Sequence, residues 1–508
     1  MKMMTSQQPH KFIFPLLVWL MLFSACKKEV KEPTDFVLPP GSHLQLTLDS
    51  LYLYAKQTYL WHQYLPDYHT FDPRRFVNSA GTLSSMQREL EAITALAIDP
   101  STQKSYEQRQ GVNGPLYSYI ANGNINSGKR AAVNTDGQGN DFGLGLAVVG
   151  QDEVYVSFVE SGSPAALAGV TRGMQVLSVE GIYVPLNTNI ISEVLAGSAI
   201  GLRLKKQDRS EVSIKLYAKS YTTSGIYKSA VLRNDNKTIG YLAMARFGKL
   251  ATLQSQLEPI FEHFANENVG QLIIDLRYNG GGYVETAGYL ANLIAPSSAN
   301  GAVMYAEHFN DLLQQGKAPI LKSIPYLDDN GKQVLIKGRP ATFADVDFSV
   351  AGNTYKFSKK GRLGSVKDIV FIVSEKTASA SELLINCLKP YMNVRLVGSK
   401  TYGKPVGYFG IGLDKYTVFM PQFRMLNAAQ QGDYYQGMNV NIAAGDDISR
   451  DFGDPEELCL EEAINAFHNL PKTAKTLSVN KVLINQSIQY SGKTDAEGVL
   501  EHRLKLRQ

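Results

Sequence analysis

The sequence is poor in the residues that most often build metal, disulfide and histidine-dependent sites. It has 3 cysteines and 8 histidines among 508 residues, with no C-x-x-C and no H-E-x-x-H. These counts give no support for a metal site or a disulfide framework, and we expect neither a metal nor another cofactor. No histidine lies in a triad motif and no G-x-S-x-G occurs, which argues against a Ser–His–Asp hydrolase. Cys387 and Cys459 lie in apolar, helix-like surroundings and are best interpreted as small buried hydrophobes.

The sequence also lacks a strong excess of charge of either sign. Its 51 Lys and Arg and 47 Asp and Glu give a formal net charge of +4. No Lys/Arg-rich stripe appears, so a nucleic-acid partner is not expected. A content of 44% hydrophobic and 19% charged residues is typical of a globular protein, and 508 residues predict several domains.

A twelve-residue apolar run lies near the start of the sequence, at 12–23, and is short for a membrane span. With Lys2 and Lys11 before it, the run indicates a secretory signal. Small residues ending at Cys26, followed by charges, resemble a bacterial lipoprotein cleavage site. The resemblance implies a signal peptide at 1–25, a lipidated Cys26 and a polar tether at 26–45. It also implies attachment to a membrane of the bacterial cell envelope, and the outer membrane is the one expected. Cleavage elsewhere, with Cys26 incidental, is the alternative.

Leucine and tyrosine at helical spacing, among them Leu51, Tyr54 and Leu60, predict a helical N-terminal domain over 46–120. A Gly/Asn-rich linker follows at 120–140. Beyond it, short alternating strands with turns begin.

The stretch 141–220 carries two recognisable patterns, the loop Gly143-Leu144-Gly145-Leu146 and the run SGSPAALAGVTRGMQVLSVEG. It resembles a PDZ domain of the kind found in bacterial proteases, a small β-sandwich-like fold. The resemblance implies that the loop N–H groups hold the terminal carboxylate of a peptide, which is added as a strand to the sheet. The alternative is a PDZ-like fold that only packs against its neighbour.

From Lys237 onwards the pattern alternates between apolar strands and helices, which predicts an α/β core over 230–470. Residues 300–366 show no strong periodicity and are interpreted as an insertion, and 471–508 as a C-terminal extension. The predicted elements are strands at 239–247, 271–277, 368–373 and 394–399, and helices at 251–266, 285–294 and 382–389.

Three turns follow strands of this core: DLRYNGGGYVE at 275–285, SEKTASASELL at 374–384 and GSKTYGKPVGYF at 398–409. In the second, Ser379-x-x-Glu382 fits an ordinary helix capping box, and this turn taken alone favours that interpretation. Lys404 lies between a glycine and a proline, where a solvated surface lysine is the ordinary expectation.

Taken together and in order, the three turns resemble the C-terminal processing, or tail-specific, serine proteases. The motifs D-L-R-x-N-x-G-G, S-A-S-E and G-K all match, with Lys404 placed 25 residues after Ser379. The resemblance implies a multidomain α/β protein with a crotonase-like protease core and an embedded PDZ domain. It further implies a Ser–Lys endopeptidase that cleaves proteins or peptides near free C-termini.

The resemblance also implies the roles of individual residues. Ser379 would be the nucleophile, and Lys404 the base that takes its proton, for which the pKa of the lysine must fall from a reference of about 10.4. The N–H groups of Ala380 and Gly281 would form the oxyanion hole.

Two positions depart from the family pattern. Tyr408 stands where family members often have the glutamine that orients the lysine, and Gly280 replaces the usual proline. Some members use the glutamate of S-A-S-E instead, so Glu382 is expected to accept a hydrogen bond from the Lys404 amine.

Two other functions fit parts of the sequence. One is a catalytically silent, lipid-anchored peptide-binding protein with an inert protease-like core. The other is an acyl-CoA enzyme of the crotonase fold, which leaves the PDZ-like stretch and Lys404 unexplained.

Overall fold

The structure is a computed structural model that describes residues 38–108, 114–122, 137–150, 153–183, 188–234, 236–328, 331–468, 488–491 and 504–507. From Ser42 onwards these residues belong to one compact unit. The predicted signal peptide, Cys26 and most of the tether lie outside the described residues. Among the helices that are described, none has the length and apolar character needed to cross a membrane.

The helices and strands of the described residues follow the chain in this order. The α-helices are α1 (His43–Thr58), α2 (Tyr68–Phe71), α3 (Thr82–Ala95), α4 (Pro164–Leu167), α5 (Thr188–Leu195), α6 (Leu250–Asn266), α7 (Val284–Ile294), α8 (Asp311–Gln314), α9 (Ala380–Leu388) and α10 (Leu458–Asn465). The strands up to the central sheet are β1 (Ile98–Asp99), β2 (Lys104–Ser105), β3 (Tyr119–Asn122), β4 (Gln138–Asp141), β5 (Leu144–Val149), β6 (Glu153–Val159), β7 (Gln175–Val179), β8 (Ile182–Tyr183), β9 (Ala199–Lys205), β10 (Glu211–Tyr217) and β11 (Lys219–Thr222). The remaining strands are β12 (Ile226–Asn234), β13 (Lys237–Met244), β14 (Gln271–Asp275), β15 (Val303–Phe309), β16 (Leu335–Ile336), β17 (Arg339–Pro340), β18 (Thr354–Lys356), β19 (Asp368–Val373), β20 (Asn393–Gly398), β21 (Val406–Gly407), β22 (Ile411–Leu413), β23 (Tyr416–Phe419), β24 (Phe423–Asn427), β25 (Ile442–Ala443) and β26 (Ile488–Ser491).

The central sheet has the strand order β12-β13-β14-β19-β20-β25, and β13 to β25 run parallel. Its middle strands are apolar on both faces because both faces are covered. Leu272 and Phe371 face the helices α6, α7 and α9, whereas Ile273 and Val370 face α10. Parallel pairing brings the carboxyl ends of β14, β19 and β20 to one edge of the sheet.

The α1 and α3 helices share a hydrophobic core with this sheet. Leu48 and Leu51 of α1 are fully buried and belong to the same cluster as Leu242 and Leu272. The β3 strand pairs with β23 of the C-terminal half. The helical region predicted at 46–120 therefore packs directly on the α/β core.

A four-stranded sheet of order β18-β15-β24-β21 lies within the same unit. Its strand β15 falls in the stretch 300–366, which shows no strong periodicity in sequence. Glu307 is almost completely buried in β15, so the strand lacks the alternation of apolar and polar residues that would have revealed it.

A separate sheet of order β10-β9-β7-β6-β5-β26, with β8 beside β7, contains the strands predicted from residue 142 onwards. It has its own hydrophobic core, which includes Leu146, Val156 and Leu202 and is closed by residues of α4 and α5. We refer to residues 142–217 as the peptide-domain segment.

Arg172 joins this segment to the central sheet. Its buried guanidinium donates to the Ser157 carbonyl at 2.7 Å, to the Tyr278 hydroxyl at 2.9 Å and to Asp446 Oδ1 at 2.6 Å. Although burial acts to raise it, Arg172 and Arg277 lower the pKa of Asp446 well below its ordinary value. Tyr278 belongs to the glycine-rich turn after β14, so Arg172 is fixed to that turn.

We expect Arg172→Ala to lower the free energy of unfolding by about 3–5 kcal/mol, because it leaves the Asp446 carboxylate buried without one of its two arginine partners. The matched control is Arg203→Ala, which breaks the exposed pair with Glu211 in the same segment and should cost about 0–1 kcal/mol. Urea unfolding of both variants measures the difference. Equal losses in the two variants would contradict this assignment.

Candidate active site

Three turns meet at the carboxyl edge of the central sheet. They are the glycine turn 276–282 after β14, the serine turn 374–379 after β19 and the lysine turn 399–404 after β20. The glycine and serine turns are tied together by the Asn279 carbonyl, which accepts from the Ala378 N–H at 3.3 Å and from Ser381 Oγ at 3.0 Å. The structure therefore brings together three motifs that are spread over residues 275–404 of the sequence.

Ser379 lies immediately before α9 in a strained backbone conformation, with φ 57° and ψ −116°. Such values cost on the order of 1–3 kcal/mol for a residue other than glycine and persist only where the surroundings impose them. The side chain is fully buried, and its Oγ has no hydrogen-bond partner among the described residues. A hydroxyl held this way is available to a ligand, in contrast to Ser381, whose Oγ is engaged by the glycine turn.

The fully buried carboxylate of Glu382 connects the serine and lysine turns. Its Oε2 accepts from the main-chain N–H of Ser379 at 3.1 Å and of Lys404 at 2.8 Å. Its Oε1 accepts from Thr401 Oγ1 at 2.5 Å and from the Gly403 N–H at 2.7 Å. Burial raises the pKa of Glu382 above its ordinary value, and these four hydrogen bonds oppose that rise.

The Lys404 amine donates to the hydroxyl of Tyr408 at 3.0 Å and lies 4.9 Å from the centre of its ring. Lys404 and Tyr408 are each 4% exposed. This geometry differs from the predicted one, in which the amine donates to Glu382. The reason is that each oxygen of Glu382 already accepts two hydrogen bonds. Glu382 therefore binds Lys404 at the main-chain N–H of the lysine and not at its amine.

The two predicted oxyanion donors are in different states. The N–H of Ala380 opens α9 and has no acceptor within the described part of the chain, as is usual for the first N–H of a helix. The N–H of Gly281 donates to Asn279 Oδ1 at 2.9 Å. Gly281 adopts φ 111°, and an added Cβ would lie 2.9 Å from Ser379 Cβ, so the turn touches the serine and requires glycine there.

Sequence reasoning missed several residues that shape this site. Asn279 is fully buried and closes a turn over Gly280; an Asn two residues before a Gly is the signal that predicts such a turn. Tyr117, from the N-terminal half, donates to the Gly403 carbonyl at 2.6 Å and supports the lysine turn. No local pattern in the sequence indicates that contact.

A second lysine, Lys376, lies in the serine turn. Burial lowers its pKa to about 8, against the attraction of Glu375 and Asp446. Its amine lies 5.3 Å from the centre of the Tyr278 ring. Lys376 therefore has the lowered pKa expected of a general base, but its amine lies over the Tyr278 ring.

The predicted peptide loop, Gly143 to Leu146, lies at the start of β5 in the peptide-domain segment. Gly143 has φ 70°, and its N–H donates to Asp141 Oδ1 at 2.7 Å. Leu144 and Gly145 pair with β6, and Leu146 lies between β6 and β26.

Comparison with known proteins identifies the family. Residues 238–437, which contain all three turns, match the sequence model of peptidase family S41. These residues belong to peptidase family S41. The family predicted from the three turns is thereby confirmed.

Two relatives of this chain have names that fit this family. The chain is 26% identical over 296 residues to the chloroplastic C-terminal processing peptidase of Tetradesmus obliquus, covering 54% of this chain and 53% of that protein. It is 24% identical over 267 residues to the carboxy-terminal processing protease CtpA of Bacillus subtilis, covering 52% of this chain and 47% of that protein. The chain thus spans about half the length of the curated relatives it matches.

The fold of the S41 core also occurs in a solved structure. A protein from Bacteroides fragilis assigned to the S41 proteases superposes with a TM-score of 0.53 at 19% identity, covering 86% of this chain and 99% of that one. The shared feature is the α/β fold.

We expect Glu382→Gln to lower the free energy of unfolding by about 1–3 kcal/mol. The side-chain NH₂ of the glutamine would face main-chain N–H groups that donate to a carboxylate oxygen in the parent protein, and an NH₂ group cannot accept those hydrogen bonds. We further expect kcat to fall about ten- to a hundredfold, since Ser379 and Lys404 lose their common anchor. The matched control is Glu375→Gln, an exposed glutamate of the same turn that accepts from Ser399 Oγ. Urea unfolding and peptide turnover measure both effects; a variant as stable and active as the control would contradict the role given to Glu382.

Proposed function

We propose that the protein is a serine endopeptidase in which Ser379 is the nucleophile and Lys404 the general base. The observation that carries the proposal is the shared oxygen of Glu382, which accepts from the main-chain N–H groups of both residues. This contact places the two motif residues side by side although they come from different turns. Ser379 Oγ is also the hydroxyl at this edge that is buried and without a partner among the described residues.

The proposed reaction proceeds by acyl transfer. Ser379 Oγ attacks the carbonyl carbon of the scissile amide while the Lys404 amine takes its proton, and the Ala380 N–H donates to the oxyanion that forms. The protonated amine then gives the proton to the departing nitrogen as the carbon–nitrogen bond breaks. Water hydrolyses the remaining ester and regenerates the serine.

The choice of Lys404 over Lys376 follows from their surroundings. The main-chain N–H groups of Lys404 and Ser379 donate to the same oxygen of Glu382, whereas the Lys376 amine lies over the Tyr278 ring. A base must be neutral, and burial favours the neutral amine. The hydroxyl of Tyr408 accepts one of its hydrogens and so directs the amine, which gives Tyr408 the orienting position that glutamine holds in the related proteases.

The peptide-domain segment is proposed to be a PDZ domain that binds the C-terminal end of a substrate along β5. Support comes from its six-strand path with α4 and α5, and from the Gly143–Leu146 loop at the start of β5. The substrates would be proteins or peptides with free C-termini, as the names of the relatives suggest for those proteins. A lipid anchor at Cys26 stays a prediction.

We expect Ser379→Ala to reduce cleavage of an unstructured peptide with an apolar C-terminus by about 10⁴-fold or more, because the attacking oxygen is removed. Ser381→Ala is the matched control, since its hydroxyl supports the Asn279 carbonyl and should cost only stability and a small part of the rate. Mass spectrometry of the products over time gives both rates. Wild-type turnover by Ser379→Ala would end the assignment of Ser379 as the nucleophile, whereas no turnover by the parent chain would leave the silent peptide-binding protein.

We expect Tyr408→Phe to lower kcat by about tenfold with KM nearly unchanged, because the amine loses its acceptor while the ring remains. The ammonium form loses more than the neutral amine, so the acid limb of the pH–rate profile should move to lower pH. Tyr402→Phe, whose hydroxyl donates to the Leu116 carbonyl nearby, is the matched control. A lower melting temperature with unchanged kcat and pH profile would show that Tyr408 only packs.

A further inference from the structure

The edge of β5 in the peptide-domain segment carries a strand from a distant part of the chain. Residues 488–491, β26, pair with it in antiparallel register, with Ile488 opposite Val149 and Ser491 opposite Leu146. Residues of α5 lie within 8 Å, Cα to Cα, of both β5 and β26. The strand therefore lies between a sheet edge and a helix of the same segment.

The direction of β26 is that of a peptide approaching the loop with its C-terminal end. Pairing advances from Val149 to Leu146 as the chain runs from Ile488 to Ser491, so the strand points at Gly143–Gly145. An extended peptide added to a sheet edge in this way is held by main-chain hydrogen bonds, which tolerate many sequences. The edge of β5 and the direction of β26 together define the site of an added peptide.

We propose that residues 488–491 are an intramolecular ligand of the β5 edge and compete there with the C-terminal ends of substrates. This inference rests on the peptide-binding role proposed for the segment. A backbone edge pairs with one strand at a time, because each N–H and C=O on that side is used once. Substrate binding along β5 therefore requires β26 to leave.

The structure also supplies a reason why a substrate displaces β26. The chain continues beyond Ser491, so β26 brings no terminal carboxylate to the loop. The β26 ladder ends at Leu146, and within the described part of the chain Gly143–Gly145 have no partner strand on that side. The Gly143 N–H already donates to Asp141 Oδ1, so a free carboxylate gains its charge-assisted hydrogen bonds from the other N–H groups of the loop, and residues 488–491 do not make these bonds.

A second contact keeps β26 near the edge of β5. Residues 504–507 pair with the stretch 345–347, where the Asp347 N–H donates to the Lys505 carbonyl at 2.7 Å and the Arg507 N–H donates to the Asp345 carbonyl at 2.8 Å. Leu504 is buried in the main hydrophobic core. A tethered ligand acts at a high effective concentration, so four residues suffice to occupy the edge.

The test compares peptide binding by full-length variants in a Ser379→Ala background, which prevents cleavage of the probe. The double variant Gln489→Pro/Tyr490→Pro removes a ladder donor whichever of the two residues donates, because donors alternate along an antiparallel pair. Gln489→Ala/Tyr490→Ala keeps both donors and is the matched control. The probe is a fluorescein-labelled peptide with an apolar C-terminus, as free acid and as amide, measured by fluorescence anisotropy.

We expect the proline variant to bind the acid peptide about tenfold more tightly than the parent, which corresponds to an edge that is open in about one parent molecule in ten. The alanine control should bind like the parent, and the amide more weakly than the acid in every variant. Equal Kd values for parent and proline variant overturn the competition while leaving peptide binding intact. No binding by any variant overturns peptide binding by the segment, and the competition with it.

A second measurement needs no substitution in β26. Hydrogen exchange of the Ser379→Ala chain should rise at 488–491 when the acid peptide is added, while 144–149 stays protected because one strand replaces another. Unchanged exchange at 488–491 with peptide bound would overturn the proposal even if the proline variant failed to fold.

Discussion

The active-site edge depends on one buried carboxylate. Glu382 lies on the first turn of α9, and its two oxygens bind donors from the residue before the helix and from the turn after β20. Removing an ionisable group from water is costly, and the cost is met here by four hydrogen bonds. Since three of the four donors are main-chain groups, those of Ser379, Gly403 and Lys404, the carboxylate fixes backbone positions, and the side chains follow from them.

The strained conformation of Ser379 is a consequence of this anchor. Its N–H is directed to Glu382, and its Cβ lies against Gly281, where any side chain would collide. The serine is thus held on both sides, while its Oγ has no hydrogen-bond partner among the described residues. A capping glutamate and a catalytic turn are therefore the same feature, and the two interpretations of Ser379-x-x-Glu382 do not compete.

The strands and helices of the central sheet were predictable because parallel strands covered on both faces appear as continuous apolar runs; β19 was predicted to the residue. The motif residues were predictable through their resemblance to a family. The hydrogen bond between Lys404 and Tyr408 was not predictable, because it depends on which donors bind the two oxygens of Glu382. Pairing of β26 with β5 joins residues more than three hundred positions apart, and four residues carry too little pattern to indicate a partner.

The short length of β26 also explains why it can act as a ligand that leaves the β5 edge. A strand of four residues at a sheet edge gains few main-chain hydrogen bonds, and each contributes only about 0.5–1.5 kcal/mol net of the bonds to water that it replaces. Residues 504–507, which follow the strand in the chain, are held by their own hydrogen bonds to 345–347, and these bonds do not require the strand to stay paired. By contrast, Arg172 fixes the segment to the glycine turn through buried, charged hydrogen bonds. The weak contact at β5 and the strong contact at Arg172 lie on opposite sides of β6, so the peptide edge can change its occupant while the segment keeps its position beside the active site.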